Sequence, residues 1–245
     1  MSMKTIIFTA LVAAMLFSAG SRAQEQPQDQ SPERKAYVER IRLAVEEICY
    51  SMKPYMERPD KLRSVSVMDI PEINAYADDK GNVVFFMGMI NFVRNEHELA
   101  AVCGHEMAHL SAQHIKRSIG RSILATVAQV ALGGTLGDVA GSALYTKQSR
   151  SHERESDDRG TQYMWAAGYD PQAIWKFWMA MNNAHEQGNS VIERYFSTHP
   201  VNGERIENLK VHLVRTCKAN PALAHCDDIL ANEHYVNLFN AFEAR

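Results

Sequence analysis

Polar and apolar positions change period several times along this chain, and each change predicts a different element. Gln24 to Ser31 is polar, rich in Gln and Pro, and has nothing to bury, so it reads as a flexible leader. Ser31-Pro32 then supplies a cap and a first-turn proline. Val38, Ile41, Val45 and Ile48 recur at spacings of three and four, which predicts a helix with one apolar stripe to about Tyr50. From Val65 the period shortens. The segments VSVMDI and INAYADD, a Lys80-Gly81-Asn82 turn and then VVFFMGMI predict a small antiparallel sheet ending in a hairpin. Asn95 is placed to cap a helix with Glu98 three residues further on, a variant of the capping box, and Leu99, Val102, Met107 and Leu110 sustain its apolar face. Downstream, Gly168 is expected to end one helix, Asp170-Pro171 to open another and Asn202 to cap a later one. The second half is mostly helical and shows no repeat of fixed period.

Two apolar stretches stand apart from these amphipathic patterns. Thr5 to Phe17 follows a single Lys and precedes the small residues Ser18 to Ala23, with Ser21 and Ala23 suited to a signal-peptidase site. We therefore expect residues 1–23 to be a cleaved signal peptide, 24–32 the leader and 33–245 one domain. The run is shorter than the roughly 20 residues that cross a bilayer core. The second stretch, Ser122 to Gly137, has no ionisable side chain and is broken by Gly133-Gly134. Buried helix, closely packed lid and membrane-contacting segment remain its three readings.

Composition narrows the function classes. The chain has 245 residues, 46% of them hydrophobic, and its 26 basic against 29 acidic side chains leave a net charge of -3. That is the composition of a globular domain able to bury a sizeable core. A sequence pI near 6.4 and no long basic run exclude nucleic acid as a partner. Export makes disulfides an expectation for the four cysteines. Cys217 and Cys226 flank a turn-like Asn220-Pro221 and are the favoured pair, while Cys49 and Cys103 either pair or stay buried. No CxxC spacing points to a cysteine metal site.

The chemistry centres on His105-Glu106-Met107-Ala108-His109, an HExxH motif. On a helix, the two imidazoles lie four residues apart on one face and can reach a single metal ion, with zinc the best match to imidazole and carboxylate donors. Glu106 sits beside the first ligand, where it can take a proton from a water without binding the metal. The densest acidic cluster downstream is Ser151 to Asp158. There Glu153 and Asp157 share a helix face, so Glu153 can bind the metal while Asp157 orients a histidine. Glu155 points away from that face. Without HExxH, this cluster would read as a solvated charged helix start.

Three ordered motifs now resemble a known family. HExxH, then Glu153-x-x-x-Asp157, then Ser197-Thr198-His199-Pro200 followed by Arg205-Ile206 is similar to the gluzincin family that includes CAAX prenyl proteases, HtpX-like enzymes and Oma-type mitochondrial peptidases. Asn74 to Ala77 and Gly81 to Val84 resemble the hairpin that in the family supplies an edge strand near the metal, although its usual Pro-Gly-Gly is Asp78-Asp79-Lys80-Gly81 here. The resemblance runs from about Val65 to Leu213. It implies an α+β, predominantly α-helical zincin-like domain binding one zinc ion through His105, His109 and Glu153, with Glu106 as base. It places His199 in the cleft, either stabilising the oxyanion or filling the metal's open position, and pairs Arg205 with a carboxylate near the metal. His97, His114 and His152 lack ligand spacing and read as surface or structural.

The members most similar to it are soluble periplasmic proteins acting in outer-membrane protein quality control. The resemblance therefore implies a periplasmic zinc metalloendopeptidase. Its partners would be unfolded or misassembled polypeptides, added as a strand to the hairpin edge, and the outer-membrane protein assembly machinery. The rival readings are a zinc-containing, chaperone-like assembly factor whose peptidase site is usually closed, and a metal-dependent hydrolase of a non-peptide bond.

Overall fold

The computed structural model describes residues 29–114 and 149–244. The expected signal peptide and the Ser122 to Gly137 stretch lie outside them. Helix α1 (Pro32–Met52) starts where Ser31 Oγ accepts from the Arg34 amide, and its stripe buries Ile41, Val45 and Ile48, continuing to Cys49 and Met52. That face packs on a sheet of β1 (Ser64–Met68), β2 (Ala75–Ala77) and β3 (Asn82–Phe86), in the order β1-β3-β2.

The sheet is mixed, which corrects the expectation of an antiparallel one. The β2–β3 hairpin is antiparallel as expected, with Tyr76 opposite Val84, but β1 runs parallel to β3, with Val65 opposite Val83. β3 is therefore the central strand, and its residues Val83 to Phe86 are all buried, as a strand covered on both sides requires. Period-two alternation in β1 reports which residues face the core and is silent on strand direction. A second correction follows directly. Met87 to Ile90 does not extend the strand but begins α2 (Met87–Phe92), because Gly88 sits against the backbone carbonyls of Pro71 and Glu72 and turns the chain there. A short apolar run cannot by itself distinguish buried strand from buried helix.

Helix α3 (Glu96–Ala112) is capped by Asn95 Oδ1, which accepts from the Glu98 amide at 3.0 Å, while the Glu98 carboxylate accepts from the Arg94 amide at 2.9 Å. It is the most deeply buried of the described helices, every residue from Glu98 to Ala112 being buried. α4 (Arg150–Ala166) packs along it, and α5 (Ala173–Glu186) closes the third side with Ile174, Phe177 and Trp178. At the α3–α4 crossing, Gly104 meets Gly160. A Cβ on Gly160 would lie 2.7 Å from Gly104 C and His105 N, so no side chain fits between these two backbones.

The short α6 (Glu193–Thr198) leads to α7 (Gly203–Ala219), capped by Asn202, then α8 (Cys226–Ala231) and α9 (Glu233–Glu243). These last helices enclose a second apolar cluster of Trp165, Leu213, Val214, Ile229 and Tyr235 around the expected Cys217–Cys226 disulfide. Cys49 and Cys103, left open by the sequence, form a second disulfide that ties α1 to α3.

Candidate metal centre

The α3–α4 contact sets up the site. Because the two backbones touch at Gly104 and Gly160, His105 just beyond on α3 and His109 a turn further on face α4, His105 at Glu153 and Asp157 and His109 at Glu153. One nitrogen or oxygen from each of His105, His109, Glu153 and His199 falls within 4.8 Å of the others, and all four residues are buried. His109 Nε2 lies 3.0 Å from His105 Nε2, and His199 Nδ1 lies 3.3 Å from His105 Nε2 and 3.2 Å from Glu153 Oε2. Among the described residues, these four form one compact set of metal-type donors.

Partners around this set fix each group. Asp157 Oδ1 accepts from His105 Nδ1 at 3.0 Å, leaving His105 Nε2 to point into the cluster. Arg205 donates to Asp157 from Nε at 2.6 Å and from Nη2 at 2.8 Å, and to Glu153 from Nη1 at 2.9 Å. Its guanidinium also stacks 3.9 Å from the Trp178 ring centre, and Trp178 Nε1 donates to Asp157 at 3.1 Å. Glu106 sits on the opposite rim. The Ala77 amide donates to its Oε2 at 3.1 Å and the Tyr195 hydroxyl to its Oε1 at 3.4 Å. Flanking β2, Asn74 and Asp78 hydrogen-bond to β3, so by the antiparallel alternation Ala75 and Ala77 turn their amides and carbonyls outward, towards the cleft.

Charge and solvation ask for a cation here. Burial works against ionising Glu153, but the nearby His199 and Arg205 outweigh it and hold its carboxyl well below the usual range. Burial likewise opposes ionisation of Asp157, and the Arg205 charge with its hydrogen bonds lowers it nonetheless. Two buried carboxylates thus face one guanidinium. The imbalance shows on the histidines. Burial alone would lower His105, yet hydrogen bonds with Asp157 and Glu153 raise it to about 9, while burial pushes His109 well below its normal value. Burial also raises Glu106. Glu153 Oε1 is buried with no hydrogen-bond partner although His109 Nε2 is 3.3 Å away. An unsatisfied carboxylate oxygen, imidazole nitrogens crowded at one point and one unmatched negative charge all fit a bound zinc ion.

Each site residue expected from the sequence is in this cluster: His105, Glu106, His109, Glu153, Asp157, His199 and Arg205. Sequence reasoning missed three neighbours. Tyr195 lies one helical turn before His199 on α6, a spacing that could have flagged it. Trp178 carried no signal beyond an apolar helix position. His114, read as surface or structural, is fully buried and lies 3.0 Å from His109 Nδ1.

Comparison with known proteins places this geometry. The family described as peptidase family M48 matches residues 33–212. The chain is 27% identical over 189 residues to a Yersinia pestis protein named beta-barrel assembly-enhancing protease, covering 70% of this chain and 38% of that protein. It is 30% identical over 163 residues to the mitochondrial metalloendopeptidase OMA1 of Bos taurus, covering 59% of this chain and 31% of the relative. With the Escherichia coli beta-barrel assembly-enhancing protease it shares 33% identity over 123 residues, 42% of this chain and 25% of that one. The chain thus spans from a quarter to two fifths of the length of these relatives.

Proposed function

The chain belongs to peptidase family M48, and from that premise we propose that it is a zinc-dependent metalloendopeptidase acting on unfolded or misassembled polypeptides of the cell envelope. The observation that carries the reading is the buried convergence of His105, His109 and Glu153 beside a carboxylate, Glu106, that stays out of the ligand set. In this reading the two α3 histidines and Glu153 hold the ion. A zinc ion held there would lower the pKa of water to about 7 and polarise a carbonyl.

The protein's own groups do the rest. Glu106, its two oxygens anchored by the Ala77 amide and the Tyr195 hydroxyl, is aimed to accept a proton from water and to pass it to the departing amine. Burial raises its pKa above the ordinary carboxylate value. Asp157 holds the proton on His105 Nδ1 and keeps Nε2 free for the ion, and Arg205 keeps Asp157 and Glu153 ionised. The outward Ala75 amide and the Ala75 and Ala77 carbonyls of β2 supply an edge to which an extended substrate adds by main-chain hydrogen bonds, with little sequence preference. His199, drawn to within 3.3 Å of His105 and Glu153, closes the site at rest, and substrate displaces it.

We read residues 1–23 as a cleaved signal peptide, which makes the protein periplasmic, and 33–245 as the catalytic domain. The names of the bacterial relatives favour substrates or partners connected with β-barrel assembly. Among the described residues no helix is long and apolar enough to cross a membrane. The deciding experiment is digestion of casein and of an unfolded outer-membrane protein by zinc-loaded wild type, by chelator-treated protein and by Glu106→Gln. Hydrolysis lost with the chelator and at least about a hundredfold slower in a Glu106→Gln protein that still binds zinc supports the proposal. Intact substrate in every arm favours the chaperone-like reading instead.

A further inference from the structure

The far nitrogen of each α3 histidine is held differently, and the second arrangement assigns work to residues outside the motif. His105 Nδ1 meets Asp157 directly at 3.0 Å. His109 Nδ1 instead meets His114 Nδ1 at 3.0 Å, and His114 Nε2 meets Glu155 Oε2 at 3.0 Å. Proton placement along this chain is forced. His109 Nε2 faces the donor cluster 3.0 Å from His105 Nε2 and must present a lone pair there, so its proton sits on Nδ1 and is donated to His114. His114 Nδ1 is then an acceptor, its own proton sits on Nε2, and that proton is donated to the Glu155 carboxylate.

The surroundings hold the relay in register. Ser156 Oγ lies 3.2 Å from the same His114 nitrogen, and the His152 ring stacks on His114 with centroids 4.1 Å apart and planes 8° from parallel. Arg159 Nη2 pairs with Glu155 Oε1 at 2.8 Å. The backbone places His114 there by ending α3 two residues earlier, at Ala112. Gln113 takes the left-handed conformation, φ 54°, which is uncommon for a residue other than glycine and folds the chain back on α3. Had the helix continued, a residue five positions after His109 would lie about 140° round its axis, away from it.

We propose that His114, backed by Glu155, is the positioning residue that fixes the metal-binding tautomer and ring orientation of His109. Asp157 does this for His105, and Glu155, on a different face of α4, serves His109 through an intervening imidazole. The proposal rests on the reading of His105, His109 and Glu153 as zinc ligands.

The test titrates zinc into metal-stripped full-length protein against a chromophoric chelator, with cobalt(II) absorption as a second readout and melting of the stripped protein as a fold control. His114→Phe keeps an aromatic ring and removes both hydrogen bonds, and should weaken zinc by about 10- to 100-fold with an altered cobalt spectrum. His114→Asn returns an acceptor near the lost Nδ1 and should recover most of that affinity and the wild-type spectrum. Glu155→Gln, which keeps shape and removes charge, should weaken zinc by a few fold, about 2- to 10-fold, and carries the test even where His114→Phe fails to fold. Wild-type zinc affinity in both His114→Phe and Glu155→Gln overturns the relay, as does equal loss in the Asn and Phe variants. A wild-type protein that binds no zinc overturns the ligand reading itself.

Discussion

Replacing Arg205 with Met preserves most of the length of the side chain and deletes a charge that nothing else supplies to Asp157 in the same way. The side chain is 7% exposed, and its guanidinium donates to Asp157 at 2.6 and 2.8 Å and to Glu153 at 2.9 Å, and also reaches the Pro200 carbonyl at 3.2 Å. Removing one partner from a buried ion pair leaves an uncompensated charge and costs about 3–5 kcal/mol. A chain of this size loses about 2–4 °C of melting temperature per kcal/mol, so metal-stripped Arg205→Met should melt about 6–20 °C below wild type. The double variant Arg205→Met/Asp157→Asn removes charge from both sides and should recover about half of the loss or more.

The pH dependence has a definite sign. In wild type the folded-state pKa of Asp157 lies below its ordinary value of 3.8, so its stabilisation is present above that value and is lost as pH falls through the lowered one. Without Arg205, burial of Asp157 is opposed by His105 and no longer by the guanidinium, so its carboxyl should lie higher than in wild type and the deficit of the variant should shrink as pH falls through the carboxylate range. Thermal unfolding by circular dichroism, with both disulfides intact, measures each case. An Arg205→Met protein melting within about 3 °C of wild type, or a double variant as unstable as the summed single losses, would refute the claim that Arg205 neutralises buried carboxylates.

Two more outcomes follow from the same geometry. His199→Ala should keep zinc, since His105, His109 and Glu153 remain, and should raise basal hydrolysis of an unfolded substrate in initial-rate assays; a slower enzyme would assign the ring instead to oxyanion stabilisation, worth about 2.7–4 kcal/mol. Burial and then neighbouring Asp157 push Asp158 up to about 7, against its partly exposed side chain and His212 Nδ1 at 3.2 Å, so wild-type stability should fall as pH rises from the ordinary carboxylate range through that value. Asp158→Asn should thus be more stable than wild type above pH of about 7 and equal to it below about 4 in urea titrations, and a gap independent of pH would defeat this account.

What was legible in the sequence is what a single element fixes. The one-face geometry of His105 and His109 follows from a spacing of four on a capped helix, and Glu153 with Asp157 follows from the same spacing on another. The ordered motifs added His199 and Arg205. His114 was illegible because its spacing from His109 has meaning only once Gln113 leaves the helix, and the αL geometry of a glutamine has no sequence signature. The direction of β1 was illegible because alternation reports faces and not partners.

The site itself depends on a contact that no local pattern encodes. Gly104 and Gly160 each cost their helix about 1 kcal/mol relative to Ala, and read alone each weakens the case for a helix there. Together they remove the two side chains that would hold α3 and α4 apart, where an added Cβ would come within 2.7 Å of the opposing backbone. Only at that separation can Glu153, on α4, come to 3.4 Å from His105 and 3.3 Å from His109, both on α3. The glycine immediately before the motif is therefore part of the metal centre in the same physical sense as its ligands, although it touches none of the chemistry.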